Sequence, residues 1–351
     1  VIPIASTPSP AAPPLRIAQL RQRLADLGGK PAHIERVLRG WSQCIGYDTP
    51  TTRAENFLPL RLRQELPAIE AELAALARLR SEHAANPETA RLLIELVDGQ
   101  LAESVLLPRG GLCISTQIGC AVGCTFCMSG RGGLVRQLGS SEMVAQVVLA
   151  RRQRAVRKVV FMGMGEPAHN LENVLEALDL LGREGGLAHK QLVLSTVGDR
   201  RLFERLPQQR VKPALALSLH SAMDDQRAEL LPRAPRIPVA ELVAMAEHYA
   251  RASHHPVQYQ WTLIEGVNDS EQEMARLADL LAGKYGVLNF IPFNEVEGLA
   301  YRRPSAARIA ELCQLLHRRG IHVLVRDSAG QEIEGACGQL RVRAEQRQTW
   351  R

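Results

Sequence analysis

With 351 residues, 46% of them apolar and 23% charged, the chain can build a large core plus a smaller unit and is not a disordered polypeptide. Its net charge of +6, carried mostly by arginine, permits a polyanionic partner such as RNA. Seven cysteines, clustered in mid-chain, are too few for a secreted disulfide scaffold, and no apolar run is long enough for a membrane span, so a reducing, cytoplasmic setting is expected.

Residues 1–15, rich in Pro and Ala without a basic start or an apolar stretch, read as a flexible tail. Residues 16–88 are expected to form a small helical accessory domain. Ile17, Leu20, Leu24 and Leu27 recur at helical steps until Gly28-Gly29, and Ile69, Leu73, Leu76 and Leu79 repeat the pattern. Arg21, Arg23, Arg36, Arg39, Arg61 and Arg63 make either a solvated basic face or an RNA contact, and the lone Cys44 is expected to be buried.

The main unit is expected over residues 89–340. Arg91 to Val97 and Leu101 to Leu107 read as strands around Asp98-Gly99, the signature of a type I′ hairpin. Glu103 falls in phase with Leu101 and Val105. An acid there is costly to bury unless it is paired or has a task, and an exposed face is the alternative.

From Gly111 onward strands and helices alternate, which calls for a parallel sheet with helical crossovers: α/β, a full or partial barrel. Strands are expected at Leu112–Ile118, Lys158–Met162, Gln191–Thr196, Ala214–Leu219, Val257–Ile264, Val287–Ile291 and Ile321–Val325. Ser141, Asn170 and Ser305 are expected helix caps. In such a barrel, functional groups collect at the C-terminal strand ends. Those ends carry a cysteine loop, Gly165-Glu166, Ser195, Ser218-Leu219-His220 and Asn294. Cys313 belongs to a helix stripe and reads as core. Cys337, among small residues, and Cys113 remain without a packing role, and 341–351 reads as a basic tail.

The loop Gly119 to Cys127 places Cys120, Cys124 and Cys127 in a C-x3-C-x2-C spacing. Three thiolates so close can grip one iron–sulfur cluster and leave a fourth iron open for a substrate. A structural zinc site is the rival, needing a fourth protein ligand from elsewhere.

This spacing resembles the radical S-adenosylmethionine (SAM) signature. With Cys113, Met162-Gly163-Met164-Gly165-Glu166-Pro167, Ser218-Leu219-His220 and Ala336-Cys337-Gly338-Gln339-Leu340, the chain resembles the RlmN/Cfr family of RNA adenine methyltransferases from about Leu93 to Leu340. The resemblance implies a partial (β/α)6 TIM-like barrel. It implies a 4Fe-4S cluster on Cys120, Cys124 and Cys127, and SAM held at the fourth iron by Gly165, Glu166, Ser195, Ser218, Leu219, His220 and Asn294. It further implies Cys337 as an S-methylcysteine carrier, Cys113 as its transient disulfide partner, and Glu103 as proton acceptor with a pKa raised by burial. Two SAM molecules would serve each turnover, one as methyl donor and one as radical source, with flavodoxin or ferredoxin as electron donor. The implied substrate is an adenosine of 23S ribosomal RNA, methylated at carbon 2, with transfer RNA as a further candidate. Carbon 8, or a radical SAM reaction on a non-RNA substrate, are the alternatives. Leu134 and Phe293 stand where many family members carry aromatic residues, in the second case tryptophan.

Overall fold

The structure is a computed structural model describing residues 15–296, 298–326 and 329–340; the tails expected at 1–15 and 341–351 lie, except for Leu15, outside the described residues. Four helices open the chain: α1 (Ile17–Asp26), α2 (Pro31–Gln43), α3 (Ala54–Phe57) and α4 (Leu60–Ala75). As the periodicity predicts, α1 buries Ile17, Leu20 and Leu24, and it ends before Gly28. The helical reading fails after Ala75. Residues 77–86 form a strand, β1 (Ala77–Asn86), so Leu76 and Leu79 do not extend the α4 stripe. Cys44 is a further correction: it caps α2 in a left-handed conformation and is exposed.

Strands β2 (Thr89–Leu96) and β3 (Leu101–Leu107) form the expected antiparallel hairpin. Its turn is not type I′, because Gly99 has φ +79° while Asp98 keeps a negative φ. The Asp98 side chain pairs with Arg136, which also meets Glu142, so the hairpin tip is tied to the next layer.

The remaining elements alternate: β4 (Gly111–Cys113), β5 (Gln117–Gly119), β6 (Leu134–Gln137), α5 (Ser140–Arg151), β7 (Lys158–Phe161), α6 (Leu171–Arg183), β8 (Leu192–Thr196), α7 (Arg200–Arg205), β9 (Ala214–Ser218), α8 (Asp224–Leu230), α9 (Val239–Ser253), β10 (Val257–Leu263), α10 (Glu271–Leu281), β11 (Gly286–Pro292), α11 (Ala306–Arg318) and β12 (Val323–Val325). One ten-stranded sheet runs β1-β2-β3-β4-β7-β8-β9-β10-β11-β12, antiparallel as far as β4 and parallel from β4 to β12. This is a partial barrel of six βα units and a closing strand, in line with the expected class. The run expected as one strand at Leu112–Ile118 divides, because β5 leaves to pair with β6 beside the cysteine loop.

Ser305 caps α11 through its hydroxyl as expected; Asn170 holds the expected N-cap position of α6 without a side-chain cap bond, and Ser141 lies inside α5. Helix α5 starts two residues early, at Ser140 with Gly139 as its cap, and Ser141 Oγ donates to Leu15 O instead. Asn170 turns its amide onto the Thr116 and Leu138 carbonyls, 2.8 and 2.7 Å away.

The N-terminal helices pack outside the barrel against α5 and α6, and Leu20, Val37, Leu62 and Ile69 share one continuous core with Val144, Val147 and Leu178. Burying these side chains contributes roughly 1.5–3 kcal/mol each, so this layer and the barrel stabilise one another. Polar ties reinforce the contact: Ile17 N donates to Ser140 Oγ at 2.8 Å, and Arg21 pairs with Glu184 at 2.9 Å. A second, smaller core faces the barrel lumen and contains Val105, Cys113, Val160, Ala216 and Leu340.

Candidate active site

A cleft at the C-terminal strand ends encloses about 890 Å³ of space, part of it open to solvent. Its lining includes Cys120, Cys124, Cys127, Gly165, Glu166, Ser195, Ser218, His220 and Cys337. Nine positions expected from sequence therefore meet in one place. Four do not line it: Leu219, Asn294, Cys113 and Glu103.

The cysteine loop wraps one side of the cleft, its aromatic Phe126 edge-on to the His220 ring at 4.8 Å. Burial pushes the Cys120 thiol up to about 11 and the Cys124 and Cys127 thiols upward, while the Val122 and Gly123 amides act oppositely on Cys120 and those of Ser129 and Gly130 on Cys127. Buried thiols with amides turned toward them favour thiolate once a metal supplies positive charge. Among the described residues no three His, Cys, Asp or Glu side chains converge as ligands of a single ion. Ligands of a four-iron cluster stand on separate irons, so three spaced thiols around one cleft fit a cluster better than a tetrahedral zinc site.

The opposite wall is the end of β7. Gly165 has φ +106°, and a Cβ there would lie 2.6 Å from the Gln117 Cβ, so the turn needs glycine. Next to it the Glu166 carboxyl is buried, which raises its pKa, but three donors oppose the shift. Thr196 Oγ1 and Ala168 N donate to Oε1 at 2.6 and 3.0 Å, and Val197 N donates to Oε2 at 2.9 Å. The carboxylate expected to face a ligand ammonium is thus also a clamp between the β7 and β8 ends.

His220 adopts φ +62°, and its Nδ1 accepts from Thr262 N at 2.9 Å, which leaves the ring proton on Nε2. Burial, aided by Arg227, lowers its pKa to about 3, so the ring is neutral. Ser195 Oγ and Ser218 Oγ stand 3.5 Å apart. Leu219 points into the core and serves through its backbone, donating to Gln260 O and accepting from Arg227 Nε.

The Cys337 segment closes the cleft. Met128 N donates to Gly338 O at 2.7 Å and Ser129 Oγ to Leu340 O at 2.7 Å, locking it to the cysteine loop. Gly338 has φ +85°, and a Cβ there would lie 3.2 Å from Phe126 O. Asn294, expected at a cofactor, donates from Nδ2 to Cys337 O at 2.9 Å, so it also fixes this segment. Cys113 is buried in the lumen, where Cys337 adds to the burial that raises its thiol pKa. The two cysteines, distant in sequence, are close in space.

Glu103 is fully buried rather than exposed. Ala102, Ser104 and Leu106 face α5 and the outer core, which turns Glu103 and Val105 toward the lumen that holds Cys113. Its Oε1 accepts from Arg91 Nη1 at 2.6 Å, the partner that a buried carboxylate requires.

Sequence reading missed Arg91, Gln117, Thr196 and Arg227. Arg227 is buried on the face of α8 that also carries Leu230, and its guanidinium reaches the Val197, Ser218 and Leu219 carbonyls at two strand ends. Its position three residues before an apolar one was the available signal. For Gln117 the signal was the polar run Ser115-Thr116-Gln117 inside an apolar segment, all three residues buried.

Comparison with known proteins decides the family. Residues 114–278 match the Radical SAM superfamily model. A Pseudomonas aeruginosa protein named "Probable RNA methyltransferase" is 63% identical over 334 residues, covering 95% of this chain and 96% of its own length. The chain belongs to the radical SAM methyltransferases. A relative from Aromatoleum aromaticum with the same descriptive name is 62% identical over 329 residues, covering 94% of this chain and 93% of itself. The crystal structure of a radical SAM methyltransferase from Sphaerobacter thermophilus superposes with TM-score 0.80 at 36% identity, covering 93% of this chain and 98% of that one. The cofactors of this enzyme family are a 4Fe-4S cluster and SAM, and the donor set described above fits both. Among the described residues no helix is long and apolar enough to cross a membrane.

Proposed function

We propose that this enzyme methylates carbon 2 of an adenosine in 23S ribosomal RNA, with a transfer RNA adenosine as a second substrate, through an S-methylcysteine on Cys337. The observation that carries this reading is the seating of Cys337 on the loop of Cys120, Cys124 and Cys127, with Cys113 close by. A radical SAM enzyme without a carrier cysteine would leave that arrangement idle. The RNA-methyltransferase names of the relatives and the arginine-borne charge support RNA as substrate.

In this reading Cys120, Cys124 and Cys127 hold the cluster, Gly165, Glu166, Ser195, Ser218 and His220 surround SAM, and Leu219 and Asn294 support that wall from behind through the bonds described above. When bound, cluster and SAM supply a methyl group and a 5′-deoxyadenosyl radical, two SAM molecules serving each turnover. The ring carbon is not nucleophilic, so the methyl first resides on Cys337, splitting one difficult step into easier ones. Glu103 takes the proton from the substituted ring carbon. Cys113 then forms a disulfide with Cys337 as the bond between the Cys337 sulfur and the transferred carbon breaks and that carbon takes up a proton; the one surplus electron would return to the cluster, and an external thiol reopens the disulfide. The neutral His220 ring and the clamp around Glu166 keep the strand ends fixed while this occurs. The adenine must be unstacked to enter so deep a cleft. A flavodoxin or ferredoxin delivers the electron, and the cytoplasm is the setting.

Nucleoside analysis of RNA from a deletion strain tests the substrate: 2-methyladenosine is expected to fall, whereas loss of 8-methyladenosine alone would move the reaction to carbon 8. Cys337→Ala is expected to abolish methyl transfer, and surviving transfer would refute the carrier role.

A further inference from the structure

Arg91 and Glu103 form an ion pair on the lumen side of the sheet, against the Cys337 segment. Arg91 lies on β2 opposite Val105, and Leu93 lies opposite Glu103, so the guanidinium crosses the hairpin diagonally to reach Oε1 at 2.6 Å. The Glu103 side chain is 0% exposed and that of Arg91 17%. Gly335, two residues before Cys337, packs on the same arginine, since a Cβ at Gly335 would lie 3.5 Å from the Arg91 Cβ. The Arg91 side chain therefore meets the carboxylate at its guanidinium and the carrier segment at its Cβ.

A carboxylate removed from water without a cation retains its proton, because its charged form costs several kcal/mol to bury. A protonated Glu103 has no capacity to take a second proton on that oxygen. We propose that Arg91 is a positioning residue for proton removal: it holds Glu103 as a carboxylate with Oε1 fixed, while the adenine is joined to Cys337. This inference rests on the roles given above to Glu103 and Cys337. In the step, the ring C–H bond breaks and its electron pair stays on the ring. The proton forms the O–H of Glu103, so the negative charge passes from carboxylate to ring. Arg91 afterwards favours loss of that proton and restores the acceptor.

The test compares Arg91→Met and Arg91→Lys with wild type, each loaded with cluster and given SAM, reductant and ribosomal RNA from a deletion strain. Three products are read: S-methyl on the Cys337 peptide by mass spectrometry, RNA-linked protein on a denaturing gel, and methyladenosine. Arg91→Met is expected to methylate Cys337 as wild type does, to accumulate RNA-linked protein, and to lose roughly 10- to 100-fold in methyladenosine. Arg91→Lys, which keeps the charge, is expected to recover part of that loss. Methyladenosine from Arg91→Met at the wild-type level, or a loss without extra RNA-linked protein, would overturn the inference. Should the Met variant not fold, Arg91→Lys decides: a raised ratio of linked protein to product supports the role, and an unchanged ratio overturns it. Wild-type protein that made methyladenosine without methylated Cys337 would overturn the carrier reading itself. An indifferent Arg91→Met beside normal wild-type chemistry would remove this inference alone.

Discussion

Gly165→Ala probes how rigid the cleft wall is. An L-residue held at φ +106° costs about 1–3 kcal/mol in backbone strain. The new Cβ would also lie 2.6 Å from the Gln117 Cβ and 2.8 Å from its Oε1, so Gln117 must move. That side chain makes two hydrogen bonds: Oε1 accepts from Glu166 N at 2.8 Å, and Nε2 donates to Gln137 Oε1 at 2.8 Å, while Gln137 in turn donates from its own Nε2 to His169 O at 3.0 Å. Losing one or both of them at about 1 kcal/mol each adds about 1–2 kcal/mol. The sum, about 2–5 kcal/mol, is a sizeable part of an ordinary stability of about 5–15 kcal/mol. With an unfolding entropy of about 2 cal/mol/K per residue, Tm should fall by roughly 3–7 °C. Differential scanning calorimetry of the anaerobic protein measures this, and isothermal titration should show weakened SAM binding. Gly132→Ala is the control: no atom lies near its added Cβ, so a change within about 0.5 kcal/mol is expected. A Gly165→Ala protein with wild-type Tm would refute the rigid wall.

Two pH effects follow from the site. Folding raises the Cys120 pKa to about 11 from its ordinary 9.0, so the metal-free folded state holds a proton that the unfolded chain gives up. Its contribution is therefore intact below pH 9 and lost as pH rises through 11, whereas cluster-loaded protein should lack this loss; urea titrations across that range at fixed ionic strength check it. For His220 the sign reverses, because a pKa of about 3 makes the folded state prefer the neutral ring. Its stabilising share is present above about pH 6.5 and lost as pH falls toward 3, and an imidazole resonance titrating near 6.5 in an NMR experiment would contradict the buried geometry.

Much of the barrel is legible in the sequence because parallel strands covered on both faces read as short apolar runs ending in Gly, Ser or Asn. Strands β7 to β11 fall within a residue or two of expectation for that reason. β1 escapes because Ala-Arg-Leu-Arg-Ser-Glu-His-Ala-Ala-Asn is an edge strand with one partner, largely open to water, in which Ala77 is buried and Leu79, Ser81 and Ala85 are only half-buried. The cleft was legible through its cysteines and strand ends. Arg91 and Arg227 were not, because in an arginine-rich chain a buried guanidinium looks like any surface one. Only three-dimensional partners, a carboxylate for Arg91 and backbone carbonyls for Arg227, set them apart.

The hydrogen bond from Ser129 to Leu340 spans 211 residues of sequence. On the ribosome, then, the cysteine loop emerges long before the segment that seats on it. A nascent chain complete to β12 would already own the cleft's three-cysteine rim and its glycine wall, yet lack Cys337 and Gly338. Asn294 would have no carbonyl of Cys337 to grip. Completion of the cysteine loop and docking of the Cys337 segment are thereby separable in time, and interrupting translation between the two would yield a protein that has its three-cysteine rim before the Cys337 segment can seat on it.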